Sequence, residues 1–150
     1  MKKTTIAFFV LGTFSLVAMI SCKKNSTTMV TKSRTQLLTQ QAWKSGFHGL
    51  DENNNGIIDP WENDMPSCQT DDQYGFYSNG TGLYSSGTLK CAADDSTTIF
   101  TWALSNDQTQ LTIFAFTQTV SKLDNNTLEV YYEDQNSAGQ TVKYITAFKH

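Results

Sequence analysis

Oxygen-bearing side chains recur at a fixed spacing just after residue 50. Asp51, Asn53 and Asn55 occupy the first, third and fifth positions of a short segment, and Gly56 follows at the sixth. Carboxylate and amide oxygens at alternate positions of a loop can turn toward one point, and a glycine permits the sharp turn that this requires. The spacing therefore predicts a cradle for a hard cation such as Ca²⁺.

The later positions of the segment complete the coordination expected for Ca²⁺. Ile57 offers its backbone carbonyl at the seventh position, Asp59 ligates directly or through water at the ninth, and Glu62 gives both carboxylate oxygens at the twelfth. Residues 51–62 thus fit the EF-hand loop pattern. Asp59 and Pro60 can also cap and begin a short helix.

Two other interpretations of this loop stay open. Asn and Gly tolerate left-handed conformations, so the segment can be turn chemistry alone, and Glu62 can complete a capping box with Asp59. Gly46 and Gly49 disfavour a helix before the loop, so we expect an EF-hand-like loop without the full helix-loop-helix motif. With three carboxylate ligands we expect a structural role and weak affinity, on the order of 10⁻⁴–10⁻³ M.

The first 21 residues have the features of a bacterial export signal. Lys2 and Lys3 supply the positively charged start. The apolar run from Ile6 to Ile20 is shorter than a transmembrane helix, which needs about 20 apolar residues. The run ends at Ser21-Cys22, which resembles the lipobox where cleavage leaves a lipidated cysteine. We expect residues 1–21 to be a signal peptide and Cys22 to carry the lipid. An ordinary signal with an incidental cysteine is the alternative.

Two cysteines remain once lipidation has used Cys22. An exported protein lies in an oxidising compartment, and nothing near Cys68 or Cys91 indicates metal or redox chemistry. We therefore predict a Cys68–Cys91 disulfide, which would stabilise the fold by roughly 3 kcal/mol in the chain-entropy model. A pair of buried thiols is the alternative.

Composition argues against several function classes. The chain has a net charge of −3, and loss of the signal lysines makes the exported part more acidic, so nucleic-acid binding is not expected. His48 and His150 are far apart in sequence, and the chain has no Gly-x-Ser-x-Gly motif, P-loop or Rossmann fingerprint. Asp71-Asp72 and Asp94-Asp95 are expected to be solvated turn residues. We therefore expect no catalytic residues.

The organisation after the signal is that of a tethered all-β domain. Residues 22–34 are polar and rich in Ser, Thr and Lys, which predicts a flexible tether, and residues 35–150 form the domain. An eight-stranded meander closes most economically into an antiparallel up-and-down barrel, and a β-sandwich is the alternative. Period-2 alternation predicts the strands Ala42–Leu50, Gln73–Ser78, Thr81–Lys90, Thr97–Ser105, Gln110–Phe116, Val120–Leu123, Thr127–Glu133 and Thr141–Lys149.

The many aromatic residues allow two interpretations. They can form the barrel core, or they can line an aromatic ligand pocket. The strand Gln110–Phe116 is apolar on both faces, since Phe114 and Phe116 oppose Leu111 and Ile113. Such a strand must be covered outside or contact a partner.

A family resemblance spans roughly residues 36–149. It is carried by Trp43, Cys68, Asp71-Asp72, Tyr74-Gly75-Phe76, Asn79-Gly80-Thr81, Cys91, Trp102-Ala103-Leu104-Ser105, Leu111-Thr112-Ile113 and Leu123–Leu128. With these features the chain resembles the lipocalin-like lipoproteins of Bacteroidetes-type bacteria. The resemblance implies a small barrel on a lipid anchor, and in lipocalins proper such a barrel holds one small apolar molecule.

Together these features predict a non-catalytic, calcium-stabilised lipoprotein that binds a small apolar ligand. The alternative is an accessory protein of the cell envelope whose barrel core is filled, and bulky inward residues such as Phe100, Trp102, Tyr132 and Phe148 favour it. Residues 23–25 after the lipidated cysteine are not acidic, which favours the periplasmic face of the outer membrane over the cell surface. Protein partners are not predicted.

Overall fold

A computed structural model describes residues 31–92 and 97–150, in which eight antiparallel strands form a closed ring. Each strand pairs with the next one in sequence, and the last strand returns to pair with the first. The prediction of an eight-stranded up-and-down barrel is confirmed, and the sandwich alternative is wrong. The strands are β1 (Trp43–Leu50), β2 (Gln73–Phe76), β3 (Thr81–Ser85), β4 (Thr97–Leu104), β5 (Gln110–Ile113), β6 (Phe116–Leu123), β7 (Thr127–Gln135) and β8 (Thr141–Lys149).

The two ends of the barrel differ in their connections. Short turns follow β2, β4 and β6 at one end, which we call the closed end because the helix α1 (Arg34–Leu38) lies there. The connections after β1, β3, β5 and β7 meet at the other end, which we call the open end. The connection between β1 and β2, residues 51–72, is long and contains a 3₁₀ turn at Ser67–Gln69.

The helix α1 is fixed by its cap and by one buried side chain. Ser33 Oγ accepts a hydrogen bond from the Gln36 amide, and Gln36 Oε1 accepts one from the Ser33 amide, which is a capping box. Leu38 is fully buried, and its carbonyl accepts a hydrogen bond from Trp43 Nε1 at 2.9 Å. The His150 ring stacks on Trp43 with 3.7 Å between ring centroids. These contacts seal the closed end.

Large side chains fill the half of the barrel next to this seal. Trp43, Leu128 and Val130 are fully buried in one cluster, to which Phe100 and Trp102 also belong. Period 2 predicted the inward position of the last two side chains, and this prediction is confirmed. The Trp102 indole donates to the carbonyl of Thr81 at 2.8 Å, so its polar group is satisfied inside the core.

The disulfide prediction is confirmed. Cys68 and Cys91 are bonded, with 5.1 Å between their Cα atoms. The bond joins the connection after β1 to the connection after β3. Both connections lie at the open end, so the disulfide restrains one side of that end.

Asp71 and Asp72 were predicted to be solvated turn residues, but both accept hydrogen bonds from the connection after β3 or from β3 itself. Asp72 is buried and accepts hydrogen bonds from Tyr84 Oη at 2.7 Å and from the Gly87 amide at 3.1 Å. Asp71 accepts from the Thr88 hydroxyl at 2.8 Å and the Thr88 amide, and the hydroxyl bond is the largest cause that lowers the pKa of Asp71. The prediction of full solvation was wrong because these carboxylates bind the connection after β3. Asp94-Asp95 lie outside the described residues.

β2 and β3 both end earlier than predicted. β2 ends at Phe76 rather than Ser78, because Ser78 belongs to the hairpin turn closed by the bond from the Gly80 amide to the Tyr77 carbonyl. β3 ends at Ser85 rather than Lys90, because the two aspartates draw the following residues away from the sheet.

The hairpin between β5 and β6 was missed by the sequence prediction. β5 ends at Ile113 and β6 begins at Phe116, whereas the sequence predicted one strand to Phe116 and the next from Val120. Phe114 and Ala115 form the turn at φ angles of 51° and 67°. Such turns normally carry Asn or Gly, so Phe-Ala gives no sequence signal for one.

The export and anchoring predictions cannot be compared with the structure. Residues 1–21 and Cys22, with most of the predicted tether, lie outside the described residues. The tether was predicted to run to Arg34, but Arg34 is the first residue of α1. Within residues 31–92 and 97–150, no helix is long and apolar enough to cross a membrane.

Candidate functional site

A cavity of about 310 Å³ lies inside the open half of the barrel. One wall comes from β1 and β8, and the facing wall comes from β5, β6 and the turn between them. Residues from the connection after β1 lie at its rim. The lining residues are Ser45, His48, Met65, Gln69, Tyr74, Ile113, Phe114, Phe116, Gln118, Thr146 and Phe148.

Tyr74 and Phe148 separate the cavity from the packed half. Their rings meet edge to face with 5.1 Å between centroids, and Phe148 belongs to the buried core cluster. Burial is the larger cause that raises the pKa of the Tyr74 phenol, followed by the charge of Asp72. The barrel therefore holds a packed closed half and a hollow open half.

The wall formed by β5 and β6 ends in exposed aromatic rings. Phe114 is 52% exposed and Phe116 is 48% exposed, although both line the cavity. Phe114 packs on Phe100 at 5.0 Å, and Phe116 meets Tyr132 edge to face at 5.1 Å. The sequence predicted that a strand apolar on both faces is covered or contacts a partner. Instead, the unpredicted turn brings both phenylalanines to the mouth of the cavity.

The turn that carries Phe114 is strained. Positive φ at two successive central residues is the geometry of a type I′ turn, which costs a residue with a Cβ atom roughly 1–2 kcal/mol. Contacts elsewhere must offset this cost, and the packing of Phe114 on Phe100 contributes. Strain of this kind is often found at binding sites.

The wall formed by β1 and β8 carries polar groups. His48 Nε2 lies 3.2 Å from Asp64 Oδ1, and Tyr144 Oη donates to the same oxygen at 3.1 Å. Burial, and after it the charge of Asp64, raise the pKa of the Tyr144 phenol. This cluster could not be predicted from the sequence. His48 and Asp64 meet only because the long connection after β1 folds back beside that strand.

The two histidines lie at opposite ends of the barrel. His48 lines the cavity, whereas His150 stacks on Trp43 at the closed end. Ser45 lies in the same wall as His48. Among the hydrogen bonds of the described residues, none joins the Ser45 hydroxyl to His48, so no contact between a nucleophile and a base is formed there.

The loop predicted to bind Ca²⁺ folds around its acidic residues. Asp51 is fully buried, and its two carboxylate oxygens accept the amides of Asn55 at 2.9 Å and Gly56 at 2.8 Å. Gly56 has a φ angle of 85°, which explains the need for glycine at the sixth position.

The later ligand residues close the same loop. Glu62 is buried, and its carboxylate accepts the amides of Asp59 at 2.8 Å and Asn53 at 3.3 Å. The side-chain amides of Asn53 and Asn55 both donate to Asp59 Oδ2, at 2.9 and 3.2 Å. The five predicted side-chain ligands are therefore brought together. Ile57, predicted to offer its carbonyl, has an exposed side chain and donates its amide to Asn55.

As it stands, this loop is held by hydrogen bonds among its own residues. Within the described part of the chain, no group of three or more His, Cys, Asp or Glu side chains is arranged to hold a metal ion. A cation would have to replace bonds that now join the asparagine amides to Asp59. The donor set consists of oxygen atoms only, which suits Ca²⁺ rather than a softer metal.

The predicted short helix after Asp59 is wrong. The amides of Glu62 and Asn63 donate to the Asp59 carbonyl at 2.9 and 3.2 Å, and the helical turn stops there. It stops because the chain next runs beside β1, where Asn63 pairs with Gly49. β1 itself enters the loop as a strand, as expected from its glycines.

Comparisons with known proteins add little to this geometry. No family model matches the chain, and no curated protein matches it. Among solved structures, a complex of bovine odorant binding protein with a selenium-containing odorant aligns over 79% of this chain and 73% of that chain, at 12% identity and a TM-score of 0.43. The fold is defined by the strand pairing of this chain alone, which is that of an eight-stranded up-and-down barrel.

Replacement of Ala115 by Gly should stabilise the protein, because glycine adopts the positive φ of the turn without steric cost. We expect a gain of about 1 kcal/mol in the free energy of unfolding, measured by urea denaturation. The matched control is Ala103→Gly, at an exposed position of β4, which should lose about 0.5–1 kcal/mol. Equal effects of the two substitutions would contradict the strained turn.

Proposed function

We propose that the protein is an exported, lipid-anchored barrel that binds one small, largely apolar molecule in its open half. The cavity of about 310 Å³ is the observation that carries this proposal. An engineered apolar cavity of about 150 Å³ is enough to hold benzene. The barrel cavity thus has room for a molecule of one or two rings.

Packing in the two halves favours this role over that of an accessory protein with a filled core. Of the four side chains that favoured a filled core, Phe100, Trp102 and Phe148 belong to the cluster of the packed half. Tyr132 stacks on Tyr144 with 5.2 Å between ring centroids. Neither Tyr132 nor Tyr144 lines the cavity, so the proposed binding site is the space that these side chains leave open beside the core.

Binding is favoured over catalysis by the chemistry of the lining. Six of the eleven lining residues are apolar or aromatic and the other five are polar, and such a mixture is common in binding sites for small molecules. Ser45 and His48 share a wall without a hydrogen bond between them among the described residues. The polar groups are thus suited to orient a ligand rather than to attack it.

The purified protein should bind 2-methoxynaphthalene, detected by the fluorescence of the probe. Thr146→Trp puts a large side chain into the cavity and should weaken binding at least about tenfold, which corresponds to about 1.4 kcal/mol. Thr101→Trp is the control, because Thr101 lies exposed on the outside of β4. Two outcomes would favour the accessory protein with a filled core instead. These are an equal loss of affinity in the two variants, or no binding of the probe by the unchanged protein.

We also propose that the loop Asp51–Glu62 binds Ca²⁺ weakly and in a structural role. Its support is the convergence of the two asparagine amides on one Asp59 oxygen, beside the buried carboxylates of Asp51 and Glu62. Rotation of these amides would turn their oxygens toward the same point. The bound cation would stiffen the connection that carries the rim of the cavity.

Calorimetric titration should detect one weak Ca²⁺ site in protein stripped with EDTA. At 10 mM Ca²⁺, an affinity of 10⁻⁴–10⁻³ M would stabilise the fold by roughly 1.4–2.7 kcal/mol, seen as a higher melting temperature. The double variant Asp51→Asn and Glu62→Gln keeps acceptor oxygens for the backbone amides and should lose the effect. A melting temperature that is insensitive to Ca²⁺ would reduce the loop to a hydrogen-bonded turn.

The anchoring part of the proposal rests on the sequence of the first residues. We propose that residues 1–21 are removed and that Cys22 carries the lipid, with the barrel on the periplasmic side of the outer membrane. Mass spectrometry of the native protein should find an acylated peptide that begins at Cys22, in the outer-membrane fraction. Cys22→Ala should release the protein from that fraction. An unmodified Cys22 inside a longer peptide would contradict the anchor.

A further inference from the structure

The environment of His48 narrows the kind of molecule that fits the cavity. We infer that the cavity selects a neutral aromatic molecule with one hydroxyl group, whose hydrogen is accepted by His48 Nδ1. This inference rests on the proposed binding function and names the ligand class of the same site.

The contact of Nε2 with Asp64 decides which nitrogen of His48 is left for a ligand. Nε2 lies 3.2 Å from Asp64 Oδ1, and the same carboxylate accepts Tyr144 Oη at 3.1 and 3.3 Å. An ionised carboxylate only accepts hydrogen bonds, so Nε2 must carry the proton. In the neutral ring, Nδ1 is then an acceptor.

No described residue occupies this acceptor. Within residues 31–92 and 97–150, no side chain or backbone group donates a hydrogen bond to His48 Nδ1, while the ring forms part of the cavity wall. A ligand without a donor would cover the nitrogen and remove its water. A site with an acceptor left unpaired discriminates against such a ligand.

The other walls define the rest of the molecule. Ile113, Phe114 and Phe116 present an apolar surface across from His48, which suits an aromatic ring. None of the described lining residues is Lys or Arg, so a carboxylate ligand would be buried without a cationic partner. The combination favours phenols and aromatic alcohols over fatty acids or pure hydrocarbons.

A comparison of two probes of similar shape tests the inference. At pH 8, 2-naphthol should bind about tenfold more tightly than 2-methoxynaphthalene, because only 2-naphthol donates a hydrogen bond. His48→Phe should bring the ratio of the two dissociation constants to about one while 2-methoxynaphthalene still binds. His48→Gln restores an acceptor and should recover part of the ratio. Gln118→Leu removes the polar group of the facing wall and should keep the ratio.

Each outcome separates this inference from the proposed function. Equal binding of the two probes, or a ratio that survives in His48→Phe, overturns the ligand class and leaves the cavity as a binding site. If Gln118→Leu loses the difference in affinity between the two probes and His48→Phe keeps it, the ligand hydroxyl bonds to the facing wall. That result overturns the role of His48. If neither probe binds the unchanged protein, the proposed function and this inference both fall.

Discussion

The incomplete pairing of β1 is the constraint on which the open end depends. β1 pairs with β2 only through Trp43 and Lys44, so the rest of that strand edge needs other partners. The long connection supplies them, since Asn63 pairs with Gly49 and the Asp64 amide donates to the His48 carbonyl at 3.0 Å. Gly49 is required there, because a Cβ atom would lie 2.0 Å from the Glu62 carbonyl oxygen. The connection that completes the barrel wall thus also carries the acidic loop and the carboxylate beside His48.

The barrel divides its interior between stability and binding. Aromatic and aliphatic side chains fill the closed half, where burial of apolar surface supplies most of the stabilisation. The open half is less tightly packed and contains a cavity, a strained turn and a polar wall. The disulfide and the buried Asp72 restrain the connections around this hollow half. Such restraints allow a cavity to persist without collapse of its walls.

Much of the fold could be predicted from the sequence, because period-2 alternation and turn residues report directly on strands. The disulfide followed from the count of cysteines and the expected compartment, and the oxygen ligands of the acidic loop are spaced as required. The turn at Phe114-Ala115 could not be predicted, since its conformation depends on tertiary contacts rather than on these residue types. The burial of Asp72 and the pairing of His48 with Asp64 depend on long connections whose paths leave no local signal. Alternation also predicts which side chains point inward, but not how much space they leave.

NMR of labelled methyl groups distinguishes a barrel with a packed half and a hollow half from one that is filled throughout. Ile113 and Met65 line the cavity, whereas Leu128 and Val130 lie in the packed core. On addition of a saturating aromatic probe, we expect large shifts of the methyl signals of Ile113 and Met65 and nearly none for those of Leu128 and Val130. Uniform small shifts, or shifts confined to Leu128 and Val130, would contradict the division into two halves.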